Sequence, residues 1–320
     1  YHLNRFRAML CIDPVPCVDF DVHPVETKEY IEEEVKRDPE FHVALQAKRR
    51  RSLGLEDPRV KALLATTQCV SLGTSCSVAA ALQALGLRGE AGPFDWLRIS
   101  ARSVGFLLRT GFQDFFDTES IPSRGEGDRV AAARSWEGSF WHHDVRDPDV
   151  QLAFHRRIDR FLNPRGRNVI FVRAVNSSEE LHEISELFAT LKQHFRTVRV
   201  HLAVLIDLQE AAGAFCTEDL GSDVIFLPIH QAAWLNKSQA VGRAHVREMM
   251  AQTSWAYCQG FARALHIWFG QEEAAWLSSV KQLHRQLLSF CGGNCRTESY
   301  EPTFIESSVT SFLWKVLSCA

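Results

Sequence analysis

Cys76 follows an apolar run ending in Val70-Ser71-Leu72, then Gly73, Thr74 and Ser75, and it opens the small-residue stretch Ser77-Val78-Ala79-Ala80-Ala81-Leu82. This order of residue types predicts a buried strand, a turn and a helix, with the thiol on the first helical turn. Unpaired amide N–H groups and the positive end of the helix dipole converge there, and both favour a thiolate over a thiol. A cysteine so placed can act as a nucleophile in acyl transfer. The N–H of Cys76 and the turn Gly73–Ser75 would supply the oxyanion donors, with Ser77 beside them. A second reading makes Cys76 a small buried residue at a strand-to-helix joint, since free cysteine is among the most buried residue types. The same helix start also suits a bound phosphate or carboxylate, so it does not choose the reaction.

The elements that must position this segment can be read along the chain. Residues 1–24 are irregular, broken by Pro14, Pro16 and Pro24. Residues 25–52 are charged and helix-prone, and Asp38-Pro39 divides them into two short outer helices. The basic cluster Lys48-Arg49-Arg50-Arg51 trails the acidic run Glu32-Glu33-Glu34 and reads as a solvated helix surface. The core begins with the strand Gln68–Leu72. An amphipathic helix follows over Ser100–Thr110, with Val104, Leu107 and Leu108 at helical spacing. Residues 118–138 read as a loop with a strand pair at its edge, and Ser139–Asp144 as a short strand.

A helix is expected over Pro148–Leu162, with Leu152, Ile158 and Phe161 inward. Then strands Asn168–Arg173, Val198–Ile206 and Val224–Leu227 alternate with the helix Ser178–His194. Such alternation implies an α/β fold, a mostly parallel sheet flanked by helices. Residues 240–290 are mostly helical, with Trp255, Phe261, Leu265, Trp268, Trp276 and Leu283 available for packing. The expected organisation is an N-terminal irregular and helical extension (1–65), an α/β core (66–230) and a mainly helical C-terminal extension packed on it (231–320).

Bulk composition narrows the function classes. The chain has 320 residues, 46% hydrophobic and 23% charged, and a net charge of −3 that gives no electrostatic footprint for nucleic acid. No window offers about 18 uninterrupted apolar residues, so no membrane span is expected. Nine cysteines without a compact framework point to a reducing compartment, and the expected location is cytoplasmic. Because the first residue is Tyr1, a fragment or processed form is expected. The pair Cys291-Gly-Gly-Asn-Cys295 has no second Cys/His pair nearby in sequence, so no metal site and no cofactor is expected.

Six separated blocks resemble one family. They are Ser71-Leu-Gly-x-x-Cys76-Ser-Val-Ala, Gly86-Leu-Arg88, Pro93-Phe-Asp-Trp96, Phe140-x-His-His-Asp144, Arg156-Arg-Ile-Asp-Arg-Phe161 and Val169-Ile-Phe-Val-Arg173. Across roughly residues 68–230 their order and spacing resemble a largely bacterial family described as papain-like cysteine peptidases. The resemblance implies Cys76 as nucleophile and a histidine of the Phe-x-His-His-Asp block as its base. His143 is the better match, and His142 is the alternative. The strand–helix alternation after residue 168 differs from the papain arrangement, whose second half is an antiparallel barrel-like sheet. A doubly wound body can still place a Cys–His pair at the top of its sheet.

The residue that orients the imidazole stays open among three. Asp144 adjoins His143 but on an extended strand would point to the other face, or it caps the following turn. Asn176 preserves a Cys–His–Asn order, or belongs to the N-cap region before Ser177-Ser178. Asp95 either reaches the histidine or satisfies turn amides. Arg173 either faces the ligand crevice at a strand end or pairs with Glu179 or Glu180. His155, His182, His194, His266 and His284 fall on expected helices as surface or packed residues. The leading expectation is a cysteine-dependent hydrolase or acyltransferase acting on a peptide, acyl or small-molecule substrate. The alternatives are a transferase binding a phosphate or nucleotide sugar, although neither Gly-x-Gly-x-x-Gly nor Gly-Lys-Ser/Thr follows the strand, and a non-catalytic binding module of the same fold.

Overall fold

The run Val169-Ile170-Phe171-Val172 is apolar throughout because both faces of its strand are covered. Val169, Phe171 and Val175 join one core cluster, while Ile170, Val172 and Ala174 join the other. The neighbouring strand alternates in the same way, with Val200, Leu202, Val204 and Ile206 on one side and Ala203 and Leu205 on the other. Such two-sided burial marks the centre of a mostly parallel sheet.

A computed structural model describes residues 42–74, 76–122, 129–140, 143–209, 212–230 and 243–290. It is an α/β structure built on a six-stranded mixed sheet. The expected features at residues 1–41, Ser75, His142, 123–128 and the 291/295 cysteine pair lie outside the described residues.

Helices α1 (Val43–Ser52) and α2 (Pro58–Leu64) precede β1 (Thr67–Ser71) and α3 (Cys76–Ala84). Next come β2 (Leu97–Ile99), α4 (Ala101–Thr110), β3 (Thr118–Pro122), β4 (Arg129–Ala133), β5 (Gly138–Phe140) and α5 (Pro148–Leu162). The alternating half is β6 (Asn168–Val175), α6 (Ser178–His194), β7 (Arg199–Gln209), β8 (Phe215–Thr217) and β9 (Gly221–His230). It is followed by α7 (Arg243–Trp268), β10 (Ala275–Leu277) and α8 (Val280–Phe290).

The main sheet runs β1-β6-β7-β9-β8-β10, parallel except between β8 and β9. A second, antiparallel sheet in the order β2-β5-β4-β3 is inserted between β1 and β6. The strand pair expected at the edge of the 118–138 loop is present as β3 and β4, and both strands belong to this second sheet. The C-terminal region contributes β10 to the sheet edge as well as two helices. No helix among the described residues is long and apolar enough to cross a membrane.

Three packing expectations need correction. Leu152 is exposed, and Phe154 takes the inward position with Ile158 and Phe161, so the buried stripe of α5 is offset from the one expected. Trp276 is exposed on the edge strand β10. The basic cluster is also not simply a solvated face. Arg49 Nη1 donates to Ala84 O at 3.2 Å, Arg50 Nη1 to Leu85 O at 2.8 Å and Gln46 Nε2 to Gln83 O at 2.7 Å. Helix α1 thus covers the carbonyls at the end of α3, with the two arginines taking those of Ala84 and Leu85 and complementing the negative end of the dipole, while the Gln83 carbonyl also accepts from Gly86 N.

Candidate active site

The turn between β1 and α3 is built from consecutive residues with positive φ, Gly73 at 77° and Thr74 at 93°. Glycine is required at 73 twice over. A Cβ there would stand 2.8 Å from Ile99 Cγ2 and 3.0 Å from the Phe94 carbonyl oxygen. A β-branched residue at 74 is strained, at a cost of about 1–3 kcal/mol. Its hydroxyl donates to Ala174 O on β6, and the Gly73 N–H donates to Ser71 Oγ at 3.1 Å. These bonds hold the turn over the carboxyl end of the sheet. Cys76 is the first residue of α3 and is buried, as is Ser77.

Arg173 is fully buried inside β6, which continues to Val175, so it does not end the strand. Its guanidinium donates to Leu72 O at 2.7 Å and Ile99 O at 2.6 Å, and it pairs with Glu180. Glu180 Oε1 in turn accepts from Ala101 N at 2.9 Å. One buried ion pair therefore ties the end of β1, the β2–α4 joint and the start of α6 together behind the turn.

His143 follows β5, whose Phe140 pairs with Leu97 of β2. Phe140 is held edge-on by Phe115 at 5.3 Å and Phe154 at 5.5 Å, and the His143 ring meets Phe154 at 5.1 Å. The Cys76 turn packs on Phe94 and Ile99, so the segments leading to Cys76 and His143 converge on the same short strand, β2.

The expected orienting residues separate clearly. Asp144 is exposed and bound bidentately by Arg146 at 2.7 and 2.8 Å, which holds its carboxyl below the ordinary range. Asp95 is buried, pairs with Arg88 Nε at 2.7 Å and accepts from Gly92 N at 2.8 Å. Asn176 stands just past β6, before the N-cap Ser177, and its buried Oδ1 has no hydrogen-bond partner among the described residues.

Two buried groups at this sheet end have no motif in the sequence. Tyr257 on α7 donates to Asp207 at the carboxyl end of β7, with the hydroxyl 2.8 Å from both carboxyl oxygens. Burial raises the Asp207 carboxyl well above the ordinary range, and Glu180 adds to the rise while the tyrosine bond opposes it. Burial also raises Tyr257, with Asp207 and Cys76 adding and Arg173 opposing. An acid after the apolar run Leu202–Ile206 is the signal that marks Asp207, because carboxyl ends of parallel strands line ligand crevices. Nothing in the local sequence links Tyr257 to it.

This strand-end geometry falls within one recognised sequence pattern. Residues 67–208 match the family described as "Putative papain-like cysteine peptidase (DUF1796)". The papain-like match runs from β1 through Asp207, so it holds Cys76, His143, Asn176 and the Arg173–Glu180 pair, while Tyr257 lies beyond it. A curated relative, "Uncharacterized protein R408" of Acanthamoeba polyphaga mimivirus, is 24% identical over 172 residues, covering 43% of this chain and 77% of the relative. No solved structure matches.

Proposed function

We propose that the protein is a cysteine-dependent hydrolase of peptide or related acyl bonds, with Cys76 as nucleophile and His143 as general base. The observation that carries this reading is the position of Cys76 at the head of α3, behind a strained two-residue turn at the carboxyl end of β1, inside the segment that matches the papain-like family. His143 takes the thiol proton, and the sulfur attacks the scissile carbonyl carbon to form a C–S bond. The turn amides receive the developing oxyanion. The imidazolium returns the proton to the leaving amine or alcohol as its bond to carbon breaks. Water, deprotonated by the same imidazole, then hydrolyses the thioester and releases the acid. Among the three orienting candidates, Asn176 has the uncommitted acceptor, and an imidazole N–H is its natural donor.

The test is trapping of the acyl-enzyme. Incubation with a mixed panel of peptidyl and small acyl thioesters should leave an acyl mass adduct on the Cys76 peptide of the wild-type protein. Cys76→Ser should form no thioester adduct. A wild-type protein that is never acylated at Cys76, and never turns over a panel member, would contradict the reading.

A further inference from the structure

Helix α7 runs beside α3 in the same direction. Cys258 Sγ meets Ala81 O at 3.4 Å, and His266 Nε2 meets Leu53 O at 2.8 Å near the far end of α3. Tyr257, one residue before Cys258, lies a step nearer the Cys76 end of α3, and Cys76 is among the groups whose charge acts on it. Alternation along β7 puts Asp207 on this same side of the sheet with Ala203 and Leu205. The register pairs Val175 with Ile206, the residues just before Asn176 and Asp207.

We infer that Tyr257, backed by Asp207, is a positioning pair for Cys76: the tyrosine hydroxyl hydrogen-bonds the thiolate and lowers the pH at which the sulfur becomes nucleophilic. This rests on the reading of Cys76 as the nucleophile. As a carboxylate Asp207 accepts the phenol proton; once protonated it donates across the same 2.8 Å contact instead and leaves the phenol proton for the sulfur. A chain of donors polarised in one direction strengthens each bond in it. A neutral Asp207 also adds no negative charge that would oppose a thiolate. The charged groups acting on the pair are Glu180 from α6, which favours protonated Asp207, and Arg173 from β6, which acts on Tyr257. Their mutual ion pair keeps both fixed.

The experiment is peptide-resolved alkylation of Cys76 by iodoacetamide as a function of pH, on the full chain. Tyr257→Phe should move the midpoint upward by about one pH unit, slowing alkylation about tenfold near neutral pH. Asp207→Leu should slow it similarly, and Asp207→Asn, which still donates to the phenol oxygen, should restore most of the rate. A normal midpoint in Tyr257→Phe, with wild-type Cys76 reactive, overturns the pair and leaves the nucleophile standing. A wild-type Cys76 no more reactive than an unstructured thiol overturns both. If Tyr257→Phe does not fold, infrared spectra decide. A protonated-carboxyl band at neutral pH that disappears in Asp207→Asn supports the pair, and its absence from the wild-type spectrum refutes it.

Discussion

The Thr74 hydroxyl donates to the main-chain carbonyl of Ala174, bridging the turn before Cys76 to the central strand β6. The bond holds a β-branched residue at φ 93°, a conformation it would otherwise avoid. Thr74→Val removes the donor and keeps the strain, so it should destabilise the protein by about 1–2 kcal/mol in urea unfolding. Thr74→Gly removes both, and its stability should change by less than about 1 kcal/mol because relief of strain offsets the lost bond. Both variants should alkylate more slowly at Cys76, since the turn that aims the thiol is no longer held.

The Arg173–Glu180 pair makes a different prediction. Arg173→Ala leaves Glu180 buried without its partner and frees the Leu72 and Ile99 carbonyls, so unfolding experiments should show a loss of about 3–5 kcal/mol. Arg173→Met with Glu180→Leu removes both charges and should lose much less than the sum of the single variants. A ligand-binding arginine would instead leave stability nearly unchanged when replaced.

His201 gives the protein a pH dependence whose sign can be stated. The ring is buried beside Asp223, with 3.2 Å between Nδ1 and Oδ1, and burial outweighs the carboxylate to lower its pKa from 6.5 to about 4. The folded pKa is the depressed one, so the unfolded chain binds the extra proton first. Stability from this residue is present above pH 6.5 and is lost as pH falls through about 4. Equilibrium unfolding of wild type and His201→Leu across that window should show a steeper acid loss in the wild type. Asp207 has the opposite sign, because its raised folded pKa makes its contribution decline as pH rises above about 4. The difference between the two proteins reports His201, because Asp207 and the burial-lowered His194 and His284 titrate in both.

Helix α1 should matter to the helix that carries Cys76. Arg50→Ala loses the bond to Leu85 O and the pair with Glu56, and Arg49→Ala loses the bond to Ala84 O. Each should cost about 1 kcal/mol, with Arg50 the larger, and hydrogen exchange should quicken in the last turn of α3.

The parts of this fold that are legible in sequence are those where local signals agree. For α6, Ser177 accepts from Glu180 N as the N-cap, and the helix spans Ser178–His194 as the periodicity predicts. β6 and β7 announce themselves through unbroken apolar runs. The second sheet does not, because β2 and β5 are short and their pairing depends on residues far apart in the chain. The candidate site divides along the same line. Cys76 is visible because strand, glycine and helix are contiguous. Arg173 has two readings in sequence because its partners Leu72, Ile99 and Glu180 come from three elements. The Asp207–Tyr257 pair is hidden by the fifty residues between its members.

The role of Cys76 and His143 is tested most directly by the second-order alkylation rate of Cys76 near neutral pH, resolved by peptide mass, in wild-type protein and His143→Ala. With His143 as base, wild-type Cys76, although buried, should react faster than an unstructured thiol, and His143→Ala should slow it at least about tenfold while the other buried thiols, Cys69, Cys216 and Cys258, stay unreactive. Equal rates in the two proteins, or a wild-type Cys76 as inert as Cys69, would rule out a Cys76–His143 pair.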